Sequence, residues 1–596
     1  MPECGTTAVP TSPAARRITL LAAIAAVSAG AAAAQGVAVT SRTARGSPLA
    51  QTDLPPPEVR FVDVARESGL DFRHVLGNPH EKEYILETTG SGVAIFDFDD
   101  DGLPDVFLVN GRGWTDPAPD QAPTSRLFRN LGDLRFEDVT EATGLARSGW
   151  GQGTCVGDFN NDGFDDLYVT HYGPDVLYRN VGGKRFLDFT AEAGMPTHGR
   201  RWGTGCAFVD YDRDGWLDIA VANYVDLDLK RTPRPGESNF CRYKGLAVLC
   251  GPRGLPGESN LLYRNVRGER FEDVSEESGF AGPGGRYGLG VLTLDFDTDG
   301  WTDIYVAADS TPSMLFHNQG DGTFDEVGLL SGTSLNGDGQ EQAGMGVSAA
   351  DFNHDGRVDI VKTNFSDDVP SLYRNEGRGF FTDVSYRAGL GVHTNYLGWG
   401  VGFVDVDHDG WKDLFVVNGH VYPSIDELES ASPYRQARLL FWNIRNGAFL
   451  DVSPSAGPGV SAESPARGAA FGDLNGDGRI EVVINNIDDR PGLLLNRGKA
   501  GNWIVVKLLG TKSNRNGIGA RATVQAAGFS QLDEVRSGGS YISQNDMRMH
   551  FGLRDAETVD RILVAWPGGR AEAFGPFESN RQVLLVEGEG IGQPGH

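Results

Sequence analysis

Cysteine is scarce in this chain, with five residues among 596, too few to build a disulfide scaffold. Basic side chains are in deficit: 53 Lys and Arg stand against 81 Asp and Glu, a formal net charge of -28. So acidic a chain lacks the basic face that holds a phosphate backbone, which excludes a general nucleic-acid binder. No His-x-x-x-His or Cys-x-x-Cys spacing occurs, so zinc and haem have no ligand set. The Gly-Gly-Ser at 538–540 precedes no phosphate-binding lysine and is no P-loop. After residue 34 there is no second long apolar run. Against disorder stand 10% aromatic and 39% hydrophobic residues, and 81 glycines point to many turns.

The first 57 residues differ from the rest. Arg16 and Arg17 precede an alanine-rich apolar run from Ile18 to Ala34 that ends in small residues, the pattern of a signal peptide over 1–34. A retained anchor is the alternative, at the lower edge of a membrane span. The arginine pair followed by Ile18 and Thr19 leaves Sec and Tat routes open. Residues 35–57, with Pro55, Pro56 and Pro57, read as a flexible linker. The mature chain is expected to be extracellular or periplasmic, without a stable membrane span.

A nonapeptide Asp-x-(Asp/Asn)-x-Asp-Gly-x-x-(Asp/Glu) occurs seven times, starting at Asp97, Asp158, Asp210, Asp295, Asp351, Asp405 and Asp473. Short apolar, β-branched segments flank each copy, as GSGVAIF and VFLVN flank the first. A third element follows (LFRN at 127, LYRN at 177, 262 and 372, LFHN at 315, LFWN at 440, LLLN at 493), and a fourth opens at Phe136, Phe186, Phe271, Phe324, Phe381 and Phe449. The fourth element is one copy short, and Phe61-Val62-Asp63-Val64 stands alone before the first unit. A ring explains this count: an all-β, seven-bladed propeller over 58–497, its last blade completed by the amino-terminal strand. A linear array would leave a raw edge at each end.

Oxygen side chains fill positions 1, 3, 5 and 9 of the nonapeptide: Asp97, Asp99, Asp101 and Asp105; Asp158, Asn160, Asp162 and Asp166; Asp210, Asp212, Asp214 and Asp218; Asp295, Asp297, Asp299 and Asp303; Asp351, Asn353, Asp355 and Asp359; Asp405, Asp407, Asp409 and Asp413; Asp473, Asn475, Asp477 and Glu481. The glycine at position 6 allows the sharp turn, and the position 7 carbonyl, as at Leu103 or Trp216, adds a ligand. Such a set suits a hard cation, Ca²⁺ before Mg²⁺. An EF-hand would need a glutamate at position 12, where the first copy has Leu108 inside an apolar strand. Hairpin turns also favour Asp, Asn and Gly, but they do not require four acids in nine residues, whose repulsion opposes the loop without a cation. About seven structural Ca²⁺ ions are therefore expected, none with a catalytic role.

These units resemble FG-GAP or VCBS repeats, as in integrin α-chain propellers. The segment 500–590 resembles the ASPIC/UnbV domain of the cartilage acidic protein family and its bacterial relatives, through GIGARATV from Gly517, GGSYISQND from Gly538, HFGL from His550 and VAWPGG from Val564. It alternates like a small β-domain. The resemblance implies a secreted, calcium-binding propeller whose calcium loops lie on the lower face and whose ligands dock on the upper one. The upper loops would include Asn110, His171, Asn223, Asp309, Asn364, His420 and Asn485.

Between the third and fourth motifs lie 85 residues, against 52 to 68 elsewhere, so 225–260 holds an insertion. Cys241 and Cys250 within it are disulfide candidates in an oxidising compartment. Cys155 and Cys206, at near-equivalent strand positions, are either small buried residues or a second bridge. His354 and His408 sit at variable loop positions and are expected to face solvent. Trp216, Trp301 and Trp411 share loop position 7 and read as packing elements. The leading expectation is a non-enzymatic binding or adhesion module for an extracellular protein or glycan. The alternative is a calcium-dependent, lyase-like polysaccharide enzyme, which would need His171, Tyr172, Tyr224 and His420 to converge in a groove. An RNA-binding role for the last domain, through Arg515, Arg521, Arg536 and Arg548, is opposed by interspersed acids and by the export signal.

Overall fold

The computed structural model describes residues 52–115, 121–428 and 432–593. The segments expected as signal peptide and most of the expected linker lie outside them.

Seven four-stranded antiparallel sheets account for residues 61–496. In the first, Val93–Phe96, Asp105–Leu108, Arg126–Asn130 and Phe136–Asp138 follow one another outward. The seventh takes three strands from its own unit, Ala466–Gly472, Glu481–Asn486 and Gly492–Asn496, and its outer strand from the amino terminus. There Phe61–Asp63 pairs antiparallel, with Phe61 opposite Asn496 and Asp63 opposite Leu494. The first sheet meets the second through Gly92 N–H to Gln152 O (2.7 Å) and the seventh through Gly468 N–H to Ser91 O (3.1 Å). The small residues opening each inner strand permit this: a Cβ at Gly346 or Gly468 would collide with the neighbouring strand's carbonyl, that of Trp399 or Ser91.

The carboxy-terminal domain is a β-sandwich. Asn502–Leu509 pairs in parallel with Arg581–Val586 and antiparallel with Met549–Arg554, and a five-stranded sheet includes Arg521–Ala526, Phe529–Glu534 and Arg561–Ala565. Their alternating apolar residues, among them Ile504, Val506, Val524, Phe551, Ile562 and Val564, form one buried core.

This domain also completes the propeller from inside. Residues 537–546 run down the central channel and bond the innermost strand of every blade. Ile95 N–H donates to Gln544 O (3.1 Å), Thr154 N–H to Ile542 O (3.2 Å) and Val347 N–H to Ser540 O (2.7 Å), while Gly539 N–H donates to Val291 O (2.9 Å). Phe208, Val401 and Phe471 donate to the side chains of Ser537 (3.1 Å), Ser540 (3.2 Å) and Asn545 (3.2 Å). Inner edges of a ring have no further strand to pair with, and a buried N–H without a partner is costly. The inserted segment supplies those partners. Tyr541, fully buried, packs on Trp399 (4.6 Å between rings) and donates its hydroxyl to Thr89 O (2.7 Å).

Disulfides join Cys155 to Cys206, across the inner strands of the second and third blades, and Cys241 to Cys250 within the insertion, with Cα–Cα distances of 5.7 and 4.9 Å.

Candidate metal centres

All seven acidic loops turn at the same end of the ring, each between the first and second strand of its blade. Six of the seven are closed by the same two contacts, and the first keeps only the glycine contact, its Asp101 N–H donating to Asp97 (3.0 Å). The position 6 glycine N–H donates to the first aspartate, as Gly163 does to Asp158 (2.7 Å) and Gly410 to Asp405 (2.9 Å). The position 5 N–H donates to the position 3 oxygen, whether carboxylate, as from Asp214 to Asp212 (3.3 Å), or amide, as from Asp162 to Asn160 (3.0 Å) and Asp477 to Asn475 (2.9 Å). Asparagine therefore replaces aspartate at position 3 without changing the turn.

The oxygens converge. Asp97, Asp99 and Asp101 bring theirs within 4.8 Å of one another, as do Asp210, Asp212 and Asp218; Asp295, Asp297 and Asp303; and Asp405, Asp407 and Asp413. Burial pushes the first-position carboxyls up, Asp158, Asp210 and Asp295 to about 7 and Asp351 and Asp473 to about 6, and raises Asp105 at position 9 to about 9. A bound cation reverses this penalty, because its charge favours the ionised form. Three oxygens, Asp99 Oδ1, Asp295 Oδ1 and Glu481 Oε1, are buried without a hydrogen-bond donor, as ligands awaiting a cation would be. The residues fit a hard divalent ion. His317 adds one nitrogen that the repeat does not foretell: its Nε2 lies 3.0 Å from Asp297 Oδ2.

Position 9 has a second task. One carboxylate oxygen accepts the position 2 N–H, as from Phe159 to Asp166 (3.2 Å), and the other accepts the N–H of the asparagine ending the third strand, as from Asn180 to Asp166 (2.7 Å). That asparagine then donates its amide to two carbonyls, Asp165 O of its own blade (3.1 Å) and Phe98 O of the preceding one (2.8 Å). Asn265, Asn318, Asn375 and Asn443 repeat the pattern, and Asn130 carries it across the seam of the ring to Leu474 O (2.7 Å). The recurrent asparagine of LYRN is thus a clasp between blades, tied to a metal-loop carboxylate. Its recurrence was visible in the sequence, but its task was not, because its partners lie in another unit.

The carboxy-terminal domain sits on this metal-loop face. Asn516 accepts from Asp158 N–H (2.7 Å) and donates to Asp165 (2.6 Å), Arg521 pairs with Asp295 (3.4 Å), Lys412 with Asp533 (3.0 Å), and Arg548 donates to Asp473 O (2.7 Å). Expected to face solvent, His408 is instead buried, its Nδ1 2.8 Å from Gly501 O and its ring 4.9 Å from that of His550. His354 is half-buried, its ring 4.1 Å from Trp411 and 4.7 Å from Phe529. Docking of the second domain overrides the local expectation for both. Arg521, Arg536 and Arg548 are held by acids of the propeller or of their own domain, so they form no free basic face.

On the opposite face the expected ligand positions are mostly closed. Asn110, His171, Asn223, Asn364, His420 and Asn485 are buried. The asparagines donate to backbone carbonyls, as Asn485 does to Gly92 O and Val109 O (both 2.9 Å). The insertion covers the channel mouth: Tyr243 packs on His420 and Tyr422 (both 5.4 Å), Lys244 pairs with Asp367 (3.0 Å), and Arg234 donates to Tyr84 (3.1 Å). Burial pushes His171 down to about 4 and His420 to about 3, where both stay neutral. Tyr224 is fully buried and donates to Asp309, and Tyr172 donates to Leu227 O (2.9 Å). The four residues a lyase would need in a groove are occupied as cover and core.

Two family models match the chain: "FG-GAP-like repeat" at residues 97–169, 158–221 and 295–362, and "ASPIC and UnbV" at 510–592. Cartilage acidic protein 1 is similar: the Mus musculus protein is 26% identical over 407 residues, 65% of this chain and 55% of the relative, and the Homo sapiens protein 26% over 405 residues, 65% and 54%. The chain spans about half the length of these curated relatives. Among solved structures, BBS1N in complex with ARL6DN aligns at 10% identity over 71% of this chain and 96% of that one, with a TM-score of 0.37. YCF48 bound to D1 peptide aligns at 8% identity over 72% and 99%, with a TM-score of 0.36.

Proposed function

From a chain that carries FG-GAP-like repeats and an ASPIC/UnbV domain on one all-β framework, we propose an exported, calcium-binding propeller that acts as a non-catalytic binding or adhesion module for an extracellular protein or glycan. The observation that carries this reading is the set of seven like acidic loops on one face, four of which bring three carboxylate oxygens within 4.8 Å of one another. The chemistry of the set favours Ca²⁺ over Mg²⁺, since the loops offer many carboxylates at loose geometry. The ions would neutralise carboxylates that hold the blade-to-blade clasps, so metal and ring stability are coupled.

The test is binding of the purified mature chain to arrays of glycans and of extracellular proteins, in calcium and in EGTA. Selective binding that is lost in EGTA is expected. Binding to nothing on either array, or binding indifferent to EGTA, opposes the reading.

A further inference from the structure

The upper face is closed at its centre but open at its edge, between the second and third blades. There a cavity of about 510 Å³ lies among the turn at 173–175, the connection at 195–201 and the root of the insertion. Its apolar lining includes Met195, Pro196, Leu261 and Tyr263. The lining also carries hydrogen-bonding groups of both kinds. Glu258 lines the cavity and accepts Trp202 N–H on one carboxylate oxygen (2.8 Å). Asp175 accepts from Tyr168 Oη (3.0 Å) and from His171 N–H (2.8 Å), which fixes it in the wall. Arg201 lines the same space, where its positive charge favours the ionised forms of Asp175 and Glu258.

The guanidinium disfavours a simple cation in this space, and the carboxylates disfavour a simple anion. A ligand must both donate and accept, and must cover an apolar wall. Hydroxyl groups on a carbon ring do all three. Burial raises the carboxyls of Asp175, to about 7, and of Glu258, which favours their neutral forms more than exposure would.

We propose that the cavity between the second and third blades is a binding site for a neutral saccharide unit, with Arg201 donating to it, Glu258 accepting from it and the Tyr263 ring forming its floor. The proposal rests on the binding-module reading and gives that module a location and a ligand class. It also gives the insertion a task. The insertion supplies Glu258 and Asp226 to the rim, and its unit is the one with the longest interval in the chain.

The test uses the full mature chain in calcium, with saturation-transfer NMR against a panel of neutral hexoses, N-acetylhexosamines and their disaccharides, and with spermidine as a cationic control. Arg201→Gln and Glu258→Gln should each weaken saccharide binding about tenfold or more, since the first removes the donating guanidinium and the second replaces an accepting oxygen with an amide nitrogen. Tyr263→Leu, which removes the floor, guards against a polar variant that fails to fold, and unchanged melting temperature and metal content qualify each variant. Saccharide binding that is absent, or that survives all three substitutions, overturns the proposal, as does spermidine binding that the same variants abolish. If the variants still bind the glycan or protein arrays as the parent does, the pocket is refuted and the module reading stands; if the parent binds neither array, the module reading itself fails.

Discussion

At the scale of single residues, the clasp asparagines carry more than their size suggests. The Asn180 side chain donates to carbonyls of two different blades and accepts from Gly183 N–H (3.1 Å), while its own N–H donates to Asp166. Asn180→Ala leaves those carbonyls buried without donors and should lower stability by about 2–4 kcal/mol, read as a shift of the urea midpoint at saturating calcium. Asp210→Ala should remove one ion and leave the others, counted by mass spectrometry of the desalted protein; a loss of more than one would mean coupled sites. Acid acts through other groups. His74, His171 and His420 are held at about 4, 4 and 3 by burial, below the ordinary 6.5. The folded state therefore binds fewer protons than the unfolded one between about pH 6.5 and 4, so their contribution to stability is complete above pH 6.5 and falls as the pH drops through that window. His420→Asn, which keeps an acceptor for Tyr422 N–H, should flatten the stability-against-pH slope by up to one proton in that window. An unchanged slope would place the titration elsewhere.

At the scale of elements, legibility followed locality. The acidic loops could be read because a turn with four oxygens in nine residues is a local pattern. The closing strand could be read because a count of six against seven leaves few geometries. The clasp, the burial of His408 and the covered upper mouth were not readable, since each depends on residues from another unit or domain. GGSYISQND is the sharpest case. In the sequence it is a glycine-rich stretch that resembles a family motif, and in the structure it is the channel filling, bonded to strands nearly 450 residues earlier, such as Ile95 N–H to Gln544 O. Tyr541→Ala removes the largest buried side chain of that segment and should cost about 3–5 kcal/mol. Amide exchange should quicken at Thr154 and Val347, whose N–H groups bond this segment, while metal content stays constant. Unchanged exchange at both amides would mean that the inserted segment holds without its tyrosine.

At the scale of the whole molecule, metal loops, clasps and second domain form one mechanical unit. The loops lie on a single face, their ninth-position carboxylates hold the clasps, and the carboxy-terminal domain closes over them. A net charge of -28 is compatible with this clustering only if the acids are compensated. Seven divalent ions would offset half of it. Removing them should therefore loosen blade contacts and domain docking together. The most direct measurement is the metal content of the purified mature protein, followed by thermal melts with and without chelator. Six or seven calcium ions per chain, and a melting temperature lowered by more than about 10 °C in chelator, are expected. Few or no ions, with an unchanged melt, would contradict the account and reduce the seven acidic loops to turns.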